Sequence, residues 1–139
     1  MVKLCIPVAL VFGGAALLGS CASAPDKITH SPRAQKELNE ALTGYTPGPP
    51  VDCIPNYRTA DMQIIDDWTL LFRDGRTIYV QNPRGGCTGV GNLGYTLVTR
   101  PFGVAQMCSG DINRLVDLNT GMGGGSCVFS PFIPYTKPK

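Results

Sequence analysis

Six cysteines stand in this 139-residue chain, and four of them (Cys53, Cys87, Cys108 and Cys127) lie beyond residue 50. The other two, Cys5 and Cys21, belong to an N-terminal stretch of a different kind. Lys3 opens it with a positive charge, Ile6 to Leu18 is apolar apart from small residues, and Gly19-Ser20 closes it. These are the parts of a secretory leader. The apolar run is shorter than the ~20 residues that span a bilayer, and no stop-transfer flank follows. Export puts the remaining cysteines in an oxidising compartment, where an even number in a small domain reads as two disulfides. Four cysteines allow three pairings. The reading preferred here nests Cys87–Cys108 inside Cys53–Cys127, worth roughly 3 kcal/mol for the short loop and about 4 to 5 for the long one. A region of this size gains from such staples because its core alone is marginal. A zinc site is the rival, but structural zinc favours close C-x2-4-C pairs, and these cysteines are too far apart. His30, the only histidine, falls outside the cysteine-bounded region, in the tether.

Leu17-Leu18-Gly19-Ser20-Cys21 resembles the lipobox of bacterial lipoproteins. The resemblance implies a thioether-linked lipid on Cys21, cleavage just before it, and a signal peptide of residues 1–20. An uncleaved anchor helix and ordinary secretion with cleavage after Ala22 or Ala24 are the alternatives. Stable attachment takes more than one hydrophobic chain, and the diacylglyceryl group of such proteins meets that requirement. Ala rather than Asp follows the cysteine, which in lipoprotein sorting favours the outer membrane, facing the periplasm.

Removing the leader leaves 139 − 20 = 119 residues, one small domain and a tether. Without Lys3 the charge balance is 11 − 10 = +1. That is no electrostatic footprint for DNA or RNA, so nucleic acid is not an expected partner.

Residues 21–30 read as a flexible tether. Ser31-Pro32 then gives a helix start, a capping hydroxyl before a proline at the first helical position. Ala34, Leu38, Ala41 and Leu42 recur on one face, and Gly44 stops a short amphipathic helix over residues 31–44 that lies against the domain. Thr46-Pro47-Gly48-Pro49-Pro50 is neither helix nor central strand and separates helix from domain.

From Cys53 the texture is β, which predicts a mainly β fold: a small antiparallel sandwich or partly open barrel over residues 45–133, stapled by two disulfides. Asp61–Ile65 is a candidate strand. Trp68–Arg73 and Arg76–Gln81 flank Asp74-Gly75, a two-residue hairpin signal that sets Arg73 opposite Arg76, Leu71 opposite Ile78 and Leu70 opposite Tyr79. One face then carries Trp68, Leu70, Phe72 and Tyr79 and forms the core wall. The other carries Thr69, Leu71, Ile78, Val80 and the two arginines, and meets water near the turn. Residues 82–94 are loop-rich. Tyr95–Arg100, Ala105–Cys108, Ile112–Leu118 and Cys127–Phe129 complete the strands, with Gly121–Gly125 as a glycine-rich loop. The prolines from Pro131 onward predict a tail, residues 134–139, extended over the surface.

The ordered set Val51-Asp52-Cys53-Ile54, Ile64-Ile65-Asp66-Asp67-Trp68-Thr69-Leu70-Leu71-Phe72, Cys87, Cys108-Ser109-Gly110-Asp111-Ile112, Cys127 and Pro131-Phe132 resembles an uncharacterised family of small four-cysteine bacterial envelope proteins, a domain of unknown function. The resemblance spans roughly residues 45–133. It implies export and a disulfide-stapled fold, and it transfers no catalytic residue.

Gly89-Val90-Gly91-Asn92-Leu93-Gly94 satisfies the G-x-G-x-x-G string, but that chemistry needs a strand before and a helix after it. Here a cysteine-bearing loop precedes and a β segment follows, so the string reads as a glycine-rich β connection. Nucleophilic Ser–His and Cys–His pairs are not on offer within the domain, and no C-x-x-C pair supplies redox chemistry. No catalytic residue, cofactor or metal is therefore assigned. The function read here is a membrane-anchored binding or interaction module of the cell envelope, with an envelope protein as its partner. One alternative is a small-ligand-binding barrel with Trp68, Tyr79 and Tyr95 around a pocket. The other is a hydrolase of wall glycans in which Asp66 or Asp67 converges with Asp111 on one cleft.

Overall fold

The structure, a computed structural model, describes residues 28–55, 61–91, 94–99 and 106–138; Cys21 and the leader lie outside them. Among the described residues, helix α1 (Pro32–Leu42) precedes ten strands: β1 (Thr46–Pro47), β2 (Cys53–Pro55), β3 (Met62–Asp66), β4 (Thr69–Asp74), β5 (Thr77–Gln81), β6 (Tyr95–Thr99), β7 (Gln106–Cys108), β8 (Ile112–Asp117), β9 (Gly123–Val128) and β10 (Ile133–Thr136). They form an antiparallel five-stranded sheet in the order β1-β10-β5-β4-β3, a three-stranded sheet β6-β8-β9 and a two-stranded sheet β2-β7. Single bridges, Val51 to Phe132 and Arg84 to Val128, tie the smaller sheets to the chain around the larger one.

The helix forms for the reasons its sequence gives. Ser31 Oγ accepts the Ala34 N–H at 3.2 Å, and Pro32 occupies the first turn, where its missing donor costs nothing. Gly44 takes φ +78 after the last turn, a conformation that suits glycine. The apolar face packs Ala34, Leu38, Ala41 and Leu42 against Leu71, Ile78 and Val80 of the large sheet.

On the opposite face of that sheet lies the main core. Phe72, Phe129 and Phe132 meet edge to face in a triangle, with centroids 5.5 to 6.0 Å apart, a geometry the aromatic quadrupole favours. Ile54 and Met107 from the two-stranded sheet, Leu115 from the three-stranded sheet, and Cys87 and Cys127 complete it. Both faces of the β4–β5 hairpin are thus covered, where the sequence suggested one core wall. The arginines behave as expected near the turn: Arg76 is exposed and Arg73 half-buried.

The hairpin register differs from the predicted one. Asp74 pairs with Thr77, Arg73 with Ile78, Phe72 with Tyr79 and Leu70 with Gln81. Gly75, at φ +57, is the first turn residue, and Arg76 keeps a negative φ. Asp-Gly turns of the usual kind need positive φ at both central positions. Here glycine alone supplies it, so Asp74 is drawn into the strand. The displacement moves the pairing by an even step, and every side chain keeps its predicted face.

Two segments assigned to loop and tail are strands. Gly123–Gly125, within the expected glycine-rich loop, begins β9 and pairs with Val116 and Leu115 of β8. A β-carbon on Gly124 would collide with the Tyr95 ring, so the missing side chain makes room for that ring. The expected tail contains most of β10, which lies between β1 and β5. Pro134 is accommodated because its carbonyl accepts from Gly48 N at 2.7 Å. Its nitrogen faces the same side, so no donor is missing from the β5 ladder. Arg76 holds the end by donating to the Lys137 and Pro138 carbonyls.

The disulfides are Cys53–Cys108 and Cys87–Cys127, interleaved and not nested as the sequence suggested. Strand pairing decides this. Cys53 and Cys108 are directly opposite in the β2–β7 ladder. The bridge from Arg84 to Val128 brings the loop of Cys87 to the strand of Cys127. With sequence separations of 55 and 40, each bond constrains the unfolded chain by roughly 4 kcal/mol in the loop-entropy picture.

Gln81 is fully buried at the end of β5. Its Nε2 donates to the Ser130 carbonyl at 2.7 Å, and its Oε1 accepts from Ser130 N and Oγ at 2.9 Å each. Gln81→Leu leaves those groups without their partner and is expected to cost about 2–3 kcal/mol in a urea titration. Gly124→Ala is expected to lose about 1–3 kcal/mol through overpacking on Tyr95. Gly123→Ala, with nothing within 4 Å of the new carbon, is the matched control and is expected to stay near wild type in the same titration.

Candidate functional site

The strand β3 ends at Asp66, and the turn Asp67-Trp68 follows. A register irregularity between Ile64 and Asp66 sets Asp66 opposite Thr69. Such a bulge re-aims the side chains around it. Asp66 Oδ1 accepts the Trp68 N–H at 2.9 Å, and its Oδ2 lies 2.6 Å from His30 Nδ1. The His30 side chain is only 11% exposed. The histidine expected in a free tether is thus docked on the domain, in the position just before the helix cap. Nothing in composition marks it. The helix start one residue later does, because a fixed cap fixes the direction of the residue preceding it.

A second contact fastens the helix to β3. Gln63 Nε2 donates to Glu37 Oε1 at 2.9 Å, and Arg73 Nη2 donates to Gln63 Oε1 at 3.1 Å. Between these two fastenings lies an open cleft of about 540 Å³. Its apolar lining includes Ile64, Ile65 and Val90, and its polar lining includes Arg33, Glu37 and Asp66, with Tyr95 among the remaining walls. Arg33 is exposed, and among the described residues it has no ion pair. Glu37 and Asp66 are already engaged. The cleft therefore offers one free guanidinium, one half-buried phenol ring and two carboxylates held in place by neighbours. Such a set can bind and orient a polar partner, the guanidinium giving planar, charge-assisted hydrogen bonds.

The other predicted site residues do not join it. Asp67 Oδ1 accepts from Gly89 N at 3.1 Å, and its backbone carbonyl accepts from Cys87 N at 2.6 Å, so it orders the cysteine loop. Asp111 is 7% exposed, and its Oδ2 accepts the Cys108 N–H at 2.7 Å. It closes the turn between β7 and β8. The three carboxylates of the hydrolase reading are thus committed to different local tasks, and only Asp66 lines the cleft. Among the described residues no group of three or more His, Cys, Asp and Glu could hold a metal ion.

The three rings of the ligand-pocket reading also separate. Trp68 lies against Gly86 and is 37% exposed. Tyr79 packs on the main core. Tyr95 alone lines the cleft. The glycine string leads directly into strand β6 where the dinucleotide motif needs a helix, which removes that geometry.

No family model, no curated protein and no solved structure matches the chain. Among the described residues no helix is long and apolar enough to cross a membrane.

The His30–Asp66 contact is expected to act as a clamp on the helix start. His30→Ala and Asp66→Asn should each destabilise the domain by about 1–2 kcal/mol. The double variant should lose little more than either single one, because both remove the same interaction. Urea midpoints of the four proteins, with amide exchange across α1, check this; additive losses would show that the two residues act separately.

Proposed function

We propose that the chain is an exported lipoprotein, held on the periplasmic face of the outer membrane by lipid on Cys21, whose β domain is a binding module for a partner in the envelope. The cleft between α1, β3 and the start of β6 carries this reading. Its walls are fixed by neighbouring hydrogen bonds, while Arg33 has no ion pair among the described residues. Preorganised walls around an unengaged cation are what recognition uses, since little ordering remains to be done on binding. The two disulfides support an oxidising compartment. The lipobox-like leader supports the anchor, and the ordered cysteine pattern supports membership of the envelope family it resembles.

The clamp gives the anchor a geometric meaning. Between Cys21 and His30 there are 30 − 21 = 9 residue steps, which reach at most about 30 Å. With His30 held on Asp66, the cleft stays within that distance of the lipid. The partner is accordingly one found near the membrane surface.

Mass spectrometry of the mature protein is expected to find Cys21 as residue one with a diacylglyceryl group. Cys21→Ala should release the domain from the membrane fraction. An unmodified N-terminus at another residue overturns the anchor. For the binding role, a photo-crosslinking residue is placed at Arg33 and, as control, at Arg114 on the exposed face of the three-stranded sheet. Adducts in intact envelopes are expected from position 33 alone; none there, or equal yields at both positions, overturns the assignment of the cleft.

A further inference from the structure

The two disulfides occupy opposite environments. Cys87 and Cys127 are 0% and 4% exposed, inside the phenylalanine core. Cys53 is exposed and Cys108 half-buried, on the short β2–β7 ladder. That ladder is three residue pairs long, and a two-stranded pair of that size has little stability of its own. Yet its central residues, Ile54 and Met107, are 1% and 3% exposed and belong to the main core. The ladder is thus a flap that covers part of the core, with its one covalent tie on the solvent side.

We propose that Cys53–Cys108 is a reducible latch on this flap, while Cys87–Cys127 is the permanent staple. The reductant is a dithiol of the C-x-x-C class. Its thiolate attacks the Sγ of Cys53, the more exposed residue of the pair, and the Cys53–Cys108 bond breaks. The electron pair passes to Cys108 Sγ, which takes a proton from water. The second thiolate of the reductant then attacks the mixed disulfide and frees Cys53 as a thiolate, which is protonated in turn. Two electrons have entered the domain, and the reductant leaves as its own disulfide. Reactivity at a disulfide follows access to the attacked sulfur, which separates the two bonds here. With the latch open, β2 and β7 keep their ladder, the core packing of Ile54 and Met107, and two flanking hydrogen bonds, Ser109 N to the Asp52 carbonyl and Cys108 N to Asp111 Oδ2, both at 2.7 Å. Local opening of the pair bares Ile54 and Met107 without global unfolding, because the core retains its buried bond.

Graded reduction of the full mature chain with dithiothreitol, followed by alkylation and mass spectrometry, tests the latch. Cys53 and Cys108 are expected to label at least ~10-fold faster than Cys87 and Cys127. Amide exchange at that stage should rise in residues 53–55 and 106–108, with the large sheet still protected. Reduction of both bonds in one step with loss of all protection, or earlier labelling of Cys87 and Cys127, overturns the proposal. A C-x-x-C protein lacking its second cysteine should be trapped on Cys53; trapping on Cys127, or no adduct, counts against it. The double variant Cys53→Ser, Cys108→Ser should keep Cys87–Cys127 and show the same local exchange in the absence of reductant. Unchanged exchange in a folded double variant also overturns the latch.

Discussion

Thr69, Leu70, Leu71 and Phe72 are each no more than 3% exposed, although successive residues of a strand point to opposite faces. Strand β4 therefore has to be covered on both sides, and the rest of the fold supplies the covers. The helix lies over Leu71 and its neighbours. The two smaller sheets close over Leu70 and Phe72. Each buried apolar side chain of this size is worth roughly 1.5–3 kcal/mol relative to exposure. A small domain with a sheet covered on one face only would forgo half of that gain.

The covers differ in how they are fastened. The helix needs no covalent bond, because it has an apolar stripe together with the His30–Asp66 and Glu37–Gln63 contacts. The smaller sheets contribute few large apolar residues each, and both use a disulfide. One bond joins the cysteine loop to β9 within the core. The other closes β2 on β7 at the surface. Each of the two smaller sheets thus carries a disulfide, whose loss of chain entropy in the unfolded state adds to what burial supplies.

Fold class, the helix with its cap, and most strands were legible from the sequence because they rest on local rules: Ser31-Pro32, the stripe from Ala34 to Leu42, and the alternation around Asp74-Gly75. What could not be read depends on partners distant in sequence. The pairing of Cys53 with Cys108 follows from β2 meeting β7, and no spacing of cysteines encodes that. Strand β10 was hidden by Pro134 and the prolines on either side of it, because whether a proline breaks a ladder depends on which side its nitrogen faces. The first half of β9 was hidden by its glycines, and the purpose of one of them, Gly124, appears only when Tyr95 is seen in the space it leaves. At the site, Asp66, Glu37 and Tyr95 lie on separate elements. The role of His30 was missed because distance along the chain was taken for distance in space.

The glycine string at residues 89–94 shows how a motif is absorbed by geometry. Its residues were matched to a phosphate-binding pattern whose glycines allow backbone to approach a ligand. Here two of them stand beside other neighbours. A β-carbon on Gly91 would be 4.0 Å from Ile64 Cγ2, an ordinary contact with β3. Gly94, at φ +95, turns the chain into β6 beside Asn119, 3.2 Å from where a β-carbon would stand. Both glycines line the cleft. Larger residues at 91 and 94 would take up volume between β3 and β6, and Ala34, the smallest side chain available on the helix face, leaves room on the third side. The cleft is thus lined by small residues at three places, Gly91 and Gly94 in the loop before β6 and Ala34 on α1. Arg33, exposed and without an ion pair among the described residues, adds a guanidinium to that lining.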